Sequence, residues 1–102
     1  MNFKTHNEKH ISAVGTCLQG YVDADYNDLV RLFGQPTTGD KYKTDAEWLI
    51  EFDTGFVATI YNYKDGRNYL GADGIPTEQI RDWHVGGASN LVVGLVQSAL
   101  SS

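Results

Sequence analysis

On either side of Asp53-Thr54-Gly55 the chain carries a short run rich in apolar and β-forming residues, and this limits the folds open to it more than any other feature. On the leading side Trp48, Ile50 and Phe52 fall on one face of a strand and Glu47, Leu49 and Glu51 on the other, because successive side chains in a strand point to opposite faces. The return segment, Phe56 to Tyr63, puts Phe56, Ala58 and Ile60 on one side and Val57, Thr59, Tyr61 and Tyr63 on the other. The Asp-Thr-Gly triplet suits a short hairpin loop, so these two runs are expected to pair. A lone hairpin is marginal in water and needs further strands or a helix over its apolar face.

The flanking segments supply both. Ile11 to Val22 reads as a strand, with Val14, Thr16 and Leu18 alternating and Gly15 and Gly20 leaving room for a bulge. Asp25 can cap a helix whose apolar positions Tyr26, Leu29, Val30 and Phe33 recur at helical spacing. Gly34 and Pro36 end it. Thr37 to Asp45 is a polar loop, and Lys64 to Ile75 is loop-like, punctuated by Gly66, Gly71 and Gly74. Pro76 to Ile80 suits one helical turn, and Trp83-His84-Val85 a short strand. Gly86-Gly87 leads into a closing helix, capped by Ser89 or Asn90, with Leu91, Val92, Leu95, Val96, Ala99 and Leu100 as an apolar stripe. Residues 1–10 are polar and are expected to be a frayed tail. The expected architecture is one α+β domain over 1–102. It has a small antiparallel sheet with a central hairpin, one short helix after the first strand, and a C-terminal apolar helix.

The closing helix carries no charged residue, which suggests a homo-oligomer formed through Leu91–Leu100. Eight basic against thirteen acidic residues give a net charge of −5, which argues against direct nucleic-acid binding. Cys17 has no partner for a disulfide, which suits a reducing cytoplasm. Neither an apolar leader nor a membrane span is recognisable, so a soluble cytoplasmic protein is expected.

Searches for catalytic chemistry fail. There is no phosphate-binding P-loop, no nucleophile elbow and no cysteine pair. Cys17, on its strand, reads as a small buried hydrophobe rather than a nucleophile. His6 and His10 stand four apart but lack a third ligand. Glu47 and Glu51 share a face at roughly 13 Å, too far apart for a retaining carboxylate pair. No cofactor, metal or catalytic residue is assigned, and a binding role is expected rather than an enzyme.

Two clusters suit a ligand. Tyr61, Tyr63, Lys64, Arg67, Asn68 and Tyr69 bring rings that could stack on a base, an amide for its edge and cations for phosphate to the end of one strand. The alternative is a tyrosine-faced strand followed by a solvated turn. Trp83, His84, Gly86 and Gly87 precede a helix, whose free amides could hold an anion, with His84 adding a proton-dependent hydrogen bond. The alternative there is a plain strand-to-helix turn with Trp83 in the core.

The succession Phe33-Gly34-Gln35-Pro36, Asp45-Ala46-Glu47-Trp48, Ala58-Thr59-Ile60-Tyr61-Asn62-Tyr63-Lys64 and Trp83-His84-Val85-Gly86-Gly87 resembles small proteins of tailed bacteriophages, from about Gly15 to Gly87. Phage proteins of this size are often counter-defence factors. By analogy with anti-Thoeris and anti-CBASS sponges, the resemblance implies an oligomeric protein that sequesters a nucleotide-derived host immune signal, of the cyclic nucleotide or cyclic ADP-ribose type, without cleaving it. The alternative partner is a host defence protein, inhibited by contact as anti-CRISPR proteins do.

Overall fold

The alternation about Asp53-Thr54-Gly55 closes as a hairpin at the middle of an antiparallel sheet. The computed structural model describes residues 2–101. In chain order its elements are β1 (Phe3–Thr5), β2 (Cys17–Asp23), α1 (Tyr26–Phe33), β3 (Glu47–Phe52), β4 (Val57–Tyr61), α2 (Arg67–Leu70), β5 (Asp82–Gly87) and α3 (Leu91–Ser101), with single 3-10 turns at Gly71–Asp73 and Thr77–Gln79. The sheet has five strands in the order β1-β3-β4-β5-β2, and every neighbouring pair runs antiparallel.

Register then decides which side chains meet. Trp48 stands opposite Ile60, and Ile60 opposite Val85, so these side chains point to one face with Ile50, Ala58, Trp83 and Val22. On that face α1 lays Leu29 and Phe33, and α3 lays Val92, Val96 and Ala99. Burying each large apolar side chain contributes about 1.5–3 kcal/mol, and this layer is the core. Its centre is an edge-to-face pair, Trp48 and Trp83, with ring centroids 5.3 Å apart.

The two indoles also fix the first helix. Trp48 Nε1 donates to the carbonyl of Gly34 at 2.7 Å, just past the helix end. Trp83 Nε1 donates to the carbonyl of Ala24 at 3.0 Å, just before its start. The Asp25 side chain accepts from the Asn27 amide at 2.9 Å, as an N-cap should. Gly34 closes the helix at φ 84°, a conformation that disfavours any side chain.

Several expectations are corrected. The N-terminus is no frayed tail, because β1 pairs with β3 and Phe3 stacks at 5.0 Å on Phe33. His6 is tied at both ring nitrogens: Nδ1 accepts from the Leu49 amide at 3.4 Å, leaving Nε2 to donate to Gln35 O at 2.9 Å. The strand expected from Ile11 begins only at Cys17 and bulges between Leu18 and Gly20, and Cys17 is exposed rather than buried. The loop after Lys64 contains α2 and a 3-10 turn. Within α3 the sheet already takes up Val92, Val96 and Ala99, while Leu95 and Leu100 are half-buried and Leu91 is exposed.

Candidate functional site

The second face of the sheet carries Glu47, Leu49, Val57, Tyr61, His84 and Tyr21, all half-buried or exposed. Register lines four of them up across the strands. Glu47 of β3 stands opposite Tyr61 of β4, Tyr61 opposite His84 of β5, and His84 opposite Tyr21 of β2. Cross-strand partners on one face are close enough to touch. The His84 ring accordingly lies 4.9 Å from the Tyr21 ring and 5.4 Å from that of Tyr61. Tyr63, just past the strand end, leans in at 5.5 Å. His84 Nδ1 is shielded from solvent and has no hydrogen-bond partner among the described residues. Buried polar atoms are nearly always satisfied, so an orphan calls for an explanation.

Gly86 belongs to the same face. A Cβ there would stand 2.5 Å from Thr59 Oγ1 and 3.6 Å from the Tyr61 ring. A glycine is therefore required at this position for packing rather than for a turn, and it keeps the face low beside Tyr61.

Beyond Tyr63 the aromatic surface continues. Lys64 Nζ lies 5.3 Å from the Tyr63 ring centroid and 5.5 Å from that of Tyr69, and Tyr69 contacts Tyr42 at 5.3 Å. Five of the six tyrosines thus share one strip, and the sixth, Tyr26, sits against Trp48 in the core. Cations border one end of the strip. The Lys64 amide donates to Lys43 O at 2.7 Å, which joins the loop of Lys41 and Lys43 to that of Lys64 and Arg67. None of these four forms an ion pair among the described residues, whereas Lys9, Arg31 and Arg81 all do. Lys41 and Lys64 both hold positive φ, 64° and 62°, a conformation uncommon outside glycine and costly enough to need support from its surroundings.

Asn62, which is fully buried, ties the segment before β3 to the loop after β4. Its side-chain oxygen accepts from the amides of Asp45 and Ala46 at 2.8 and 3.1 Å. Its nitrogen donates to the carboxylates of Asp45 and Asp65, both at 3.0 Å. Asn68 completes the join: its amide donates to Asp45 Oδ2 at 3.2 Å and its side chain to Thr44 O at 3.2 Å. The nearby acids thus partly turn inward, while Asp40 is tied to its own turn. The Tyr42 amide above all, with those of Thr44 and Lys43, holds the Asp40 carboxyl below the usual carboxylate range.

No protein-family model matches this chain, and no curated protein sequence does either.

The sequence-derived site therefore divides. Tyr61, Tyr63, Lys64, Tyr69 and His84 come together along the strip, and Arg67 is exposed at the start of α2, three residues beyond Lys64. Asn68 is close by, but its amide braces the loop instead of facing a ligand. Trp83 is wholly buried and cannot stack on anything that arrives from solvent. Gly86 and Gly87 are strand residues, paired on both sides in β5 and separated from the start of α3 by Ala88, Ser89 and Asn90, so the expected anion-binding helix entry is not formed by them. The strip also contains residues the sequence did not single out. Tyr21 and Tyr42 lie far from the Tyr61–Tyr69 run along the chain, and only register and the Lys43–Lys64 link bring them in.

Glu47, at the head of the row, gives a pH-dependent expectation. Burial first, and then the Asp40 charge, pushes its pKa above the usual carboxylate range. The folded state therefore holds this proton more tightly than the unfolded chain does. Between the two pKa values stability falls as pH rises, and it stays lower above them. Glu47→Gln is expected to raise the urea midpoint at neutral pH and to leave it unchanged at pH values below the ordinary carboxylate range. An equal effect at both pH values would show that the charge is not responsible.

Proposed function

We propose that this protein binds a nucleotide-derived ligand on the tyrosine strip and holds it without cleaving it, acting as a phage counter-defence sponge for a host immune signal. The observation that carries the reading is the junction at Lys64. One cation lies over two tyrosine rings, in loops that also carry Lys41, Lys43 and Arg67, which form no ion pair among the described residues although the Lys43 charge acts on Asp40. Rings give a base its stacking surface, and the unpaired cations give phosphate its counter-charge. The net charge of −5 works against an anionic ligand, and hydrogen-bonded carboxylates such as Asp40 keep their charge, so phosphate contact depends on the local cations Lys41, Lys43, Lys64 and Arg67. The phage context rests on the sequence resemblance.

The test is direct binding. Nucleotides and cyclic nucleotides are titrated into the protein, followed by heating and recovery of the ligand. Recovery of unchanged ligand supports sequestration, and multiple turnovers would move the reading to an enzyme. Arg67→Ala is expected to weaken binding by about 1.5–3 kcal/mol, the range for a hydrogen bond to a charged group. Its thermal midpoint should barely move, because Arg67 is exposed and makes no ion pair.

One observation favours the second reading, a protein-binding inhibitor. The rings of the strip lie on an open face, with one recess away from it, lined by Phe3, Lys4, Glu51 and Phe52, and another reaching its end at Tyr21, lined also by Val22, Gln97 and Leu100. In that case Tyr63→Asp should abolish counter-defence activity in a protein that binds no nucleotide. A homo-oligomer through Leu91–Leu100 remains part of the proposal. Leu91, 61% exposed, is the apolar surface α3 leaves for a second copy, and light scattering giving only monomer would remove it.

A further inference from the structure

The strip is longer than one base. Neighbouring strands stand roughly 4.8 Å apart, so the row from Tyr21 through His84 to Tyr61 covers roughly 10 Å before Tyr63, Tyr69 and Tyr42 extend it. Stacked aromatic partners sit within about 4.5–7 Å of each other, which one ring of a ligand would satisfy at one station only. Two stations are distinguishable. The first is Tyr63, Tyr69 and Tyr42 about Lys64, bordered by cations. The second is Tyr21 and Tyr61 about His84, with no basic residue in its row; Tyr63, 5.5 Å from the His84 ring, is the ring the two stations share. An aromatic station without cations suits a base whose phosphate lies at the neighbouring station.

We infer that the ligand carries at least two bases joined by a phosphodiester, with one base at the Lys64 station, the second over Tyr21, His84 and Tyr61, and the linking phosphate beside Lys64. The inference rests on the nucleotide-binding reading above and narrows it to oligonucleotide chemistry. The openness of the face agrees, since a platform holds an extended or two-base molecule where a mononucleotide would call for an enclosing pocket.

Isothermal titration with three probes tests it: adenosine monophosphate, linear diadenylate and cyclic diadenylate. Each stacked base contributes an increment worth at least about fivefold in affinity. At least one diadenylate should therefore bind more than about fivefold tighter than the monophosphate, and whichever form binds better identifies the source, a strand or a cyclic signal. Tyr21→Ala is expected to weaken diadenylate binding by about fivefold or more and monophosphate binding by less, because only the two-base ligand must occupy this station. Tyr21 is 55% exposed, so the variant should keep the parent's thermal midpoint. Monophosphate and diadenylates binding equally, or Tyr21→Ala binding diadenylate like the parent, overturns the two-station inference alone. Failure of all three probes to bind overturns the nucleotide reading and this inference with it.

Discussion

Trp83→Ala is expected to destabilise the protein by about 3–5 kcal/mol, a loss large enough to unfold much of a small domain. The ring is wholly buried and stands edge-to-face with Trp48 and roughly parallel to Tyr26, at centroid distances of 5.3 and 6.4 Å. Its removal opens a cavity under both helices. It also deprives the Ala24 carbonyl of the donor that holds the start of α1. Trp83→Phe keeps most of the ring but not the N–H, so it should cost substantially less and separate the cavity from the lost hydrogen bond. Urea denaturation of both variants gives the comparison. Where Trp83→Phe remains folded, it should bind the ligand like the parent, because Trp83 lies on the face opposite the strip. A fall in binding without a fall in stability would put Trp83 at the site and contradict the burial seen here.

The contrast between Trp83 and His84 shows what the sequence could and could not convey. Adjacent residues on a strand face opposite ways, so at most one of the pair could serve a ligand while the other served the core. The sequence placed Trp83 and His84 in one cluster because it did not establish that Gly86-Gly87 continue the strand. Glycine lacks the side chain that carries strand periodicity, and a Gly-Gly pair before an apolar run reads naturally as a helix entry. The hairpin and the first helix were legible because each has a regular period and its own stop signal, Asp53-Thr54-Gly55 in one case and Gly34 with Pro36 in the other. β1 was not, since three residues are too few for a period and its stability comes from Phe52 and Phe33 far along the chain. The Tyr61–Tyr69 half of the strip was visible as a local concentration of rings. Tyr21 and Tyr42 were invisible for the opposite reason: each is an isolated tyrosine whose place depends on register or on a loop contact. Asn62 was not singled out, because nothing in the sequence distinguishes a buried, fully bonded asparagine from a solvated one.

Asn62 carries the last and most discriminating expectation. It is the buried knot between the two cationic loops, and it uses both ends of its amide, accepting two backbone N–H groups and donating to two carboxylates. Asn62→Ala leaves the Asp45 and Ala46 amides without this acceptor and removes one donor each from the Asp45 and Asp65 carboxylates, with the Asn68 amide still donating to Asp45. An unsatisfied buried group costs about 1–3 kcal/mol, so a loss of at least about 2 kcal/mol is expected. Ligand binding should fall further than stability alone explains, because the Asn62 bonds join the segment before β3 to the loop that carries Lys64. Asn62→Asp sharpens the test. It preserves shape and the acceptor for both amides, but it replaces the donor with a third carboxylate beside Asp45 and Asp65. If the network matters through its donors, Asn62→Asp should be about as damaging as Asn62→Ala at neutral pH and should recover on acidification, as protons return to the cluster. If shape and the two amide contacts suffice, Asn62→Asp should behave like the parent at every pH. Thermal melts and ligand titrations at neutral and mildly acidic pH separate the two outcomes. Parent-like behaviour of Asn62→Asp would mean that the loops, and the cations they present, are positioned by something other than this hydrogen-bonded knot.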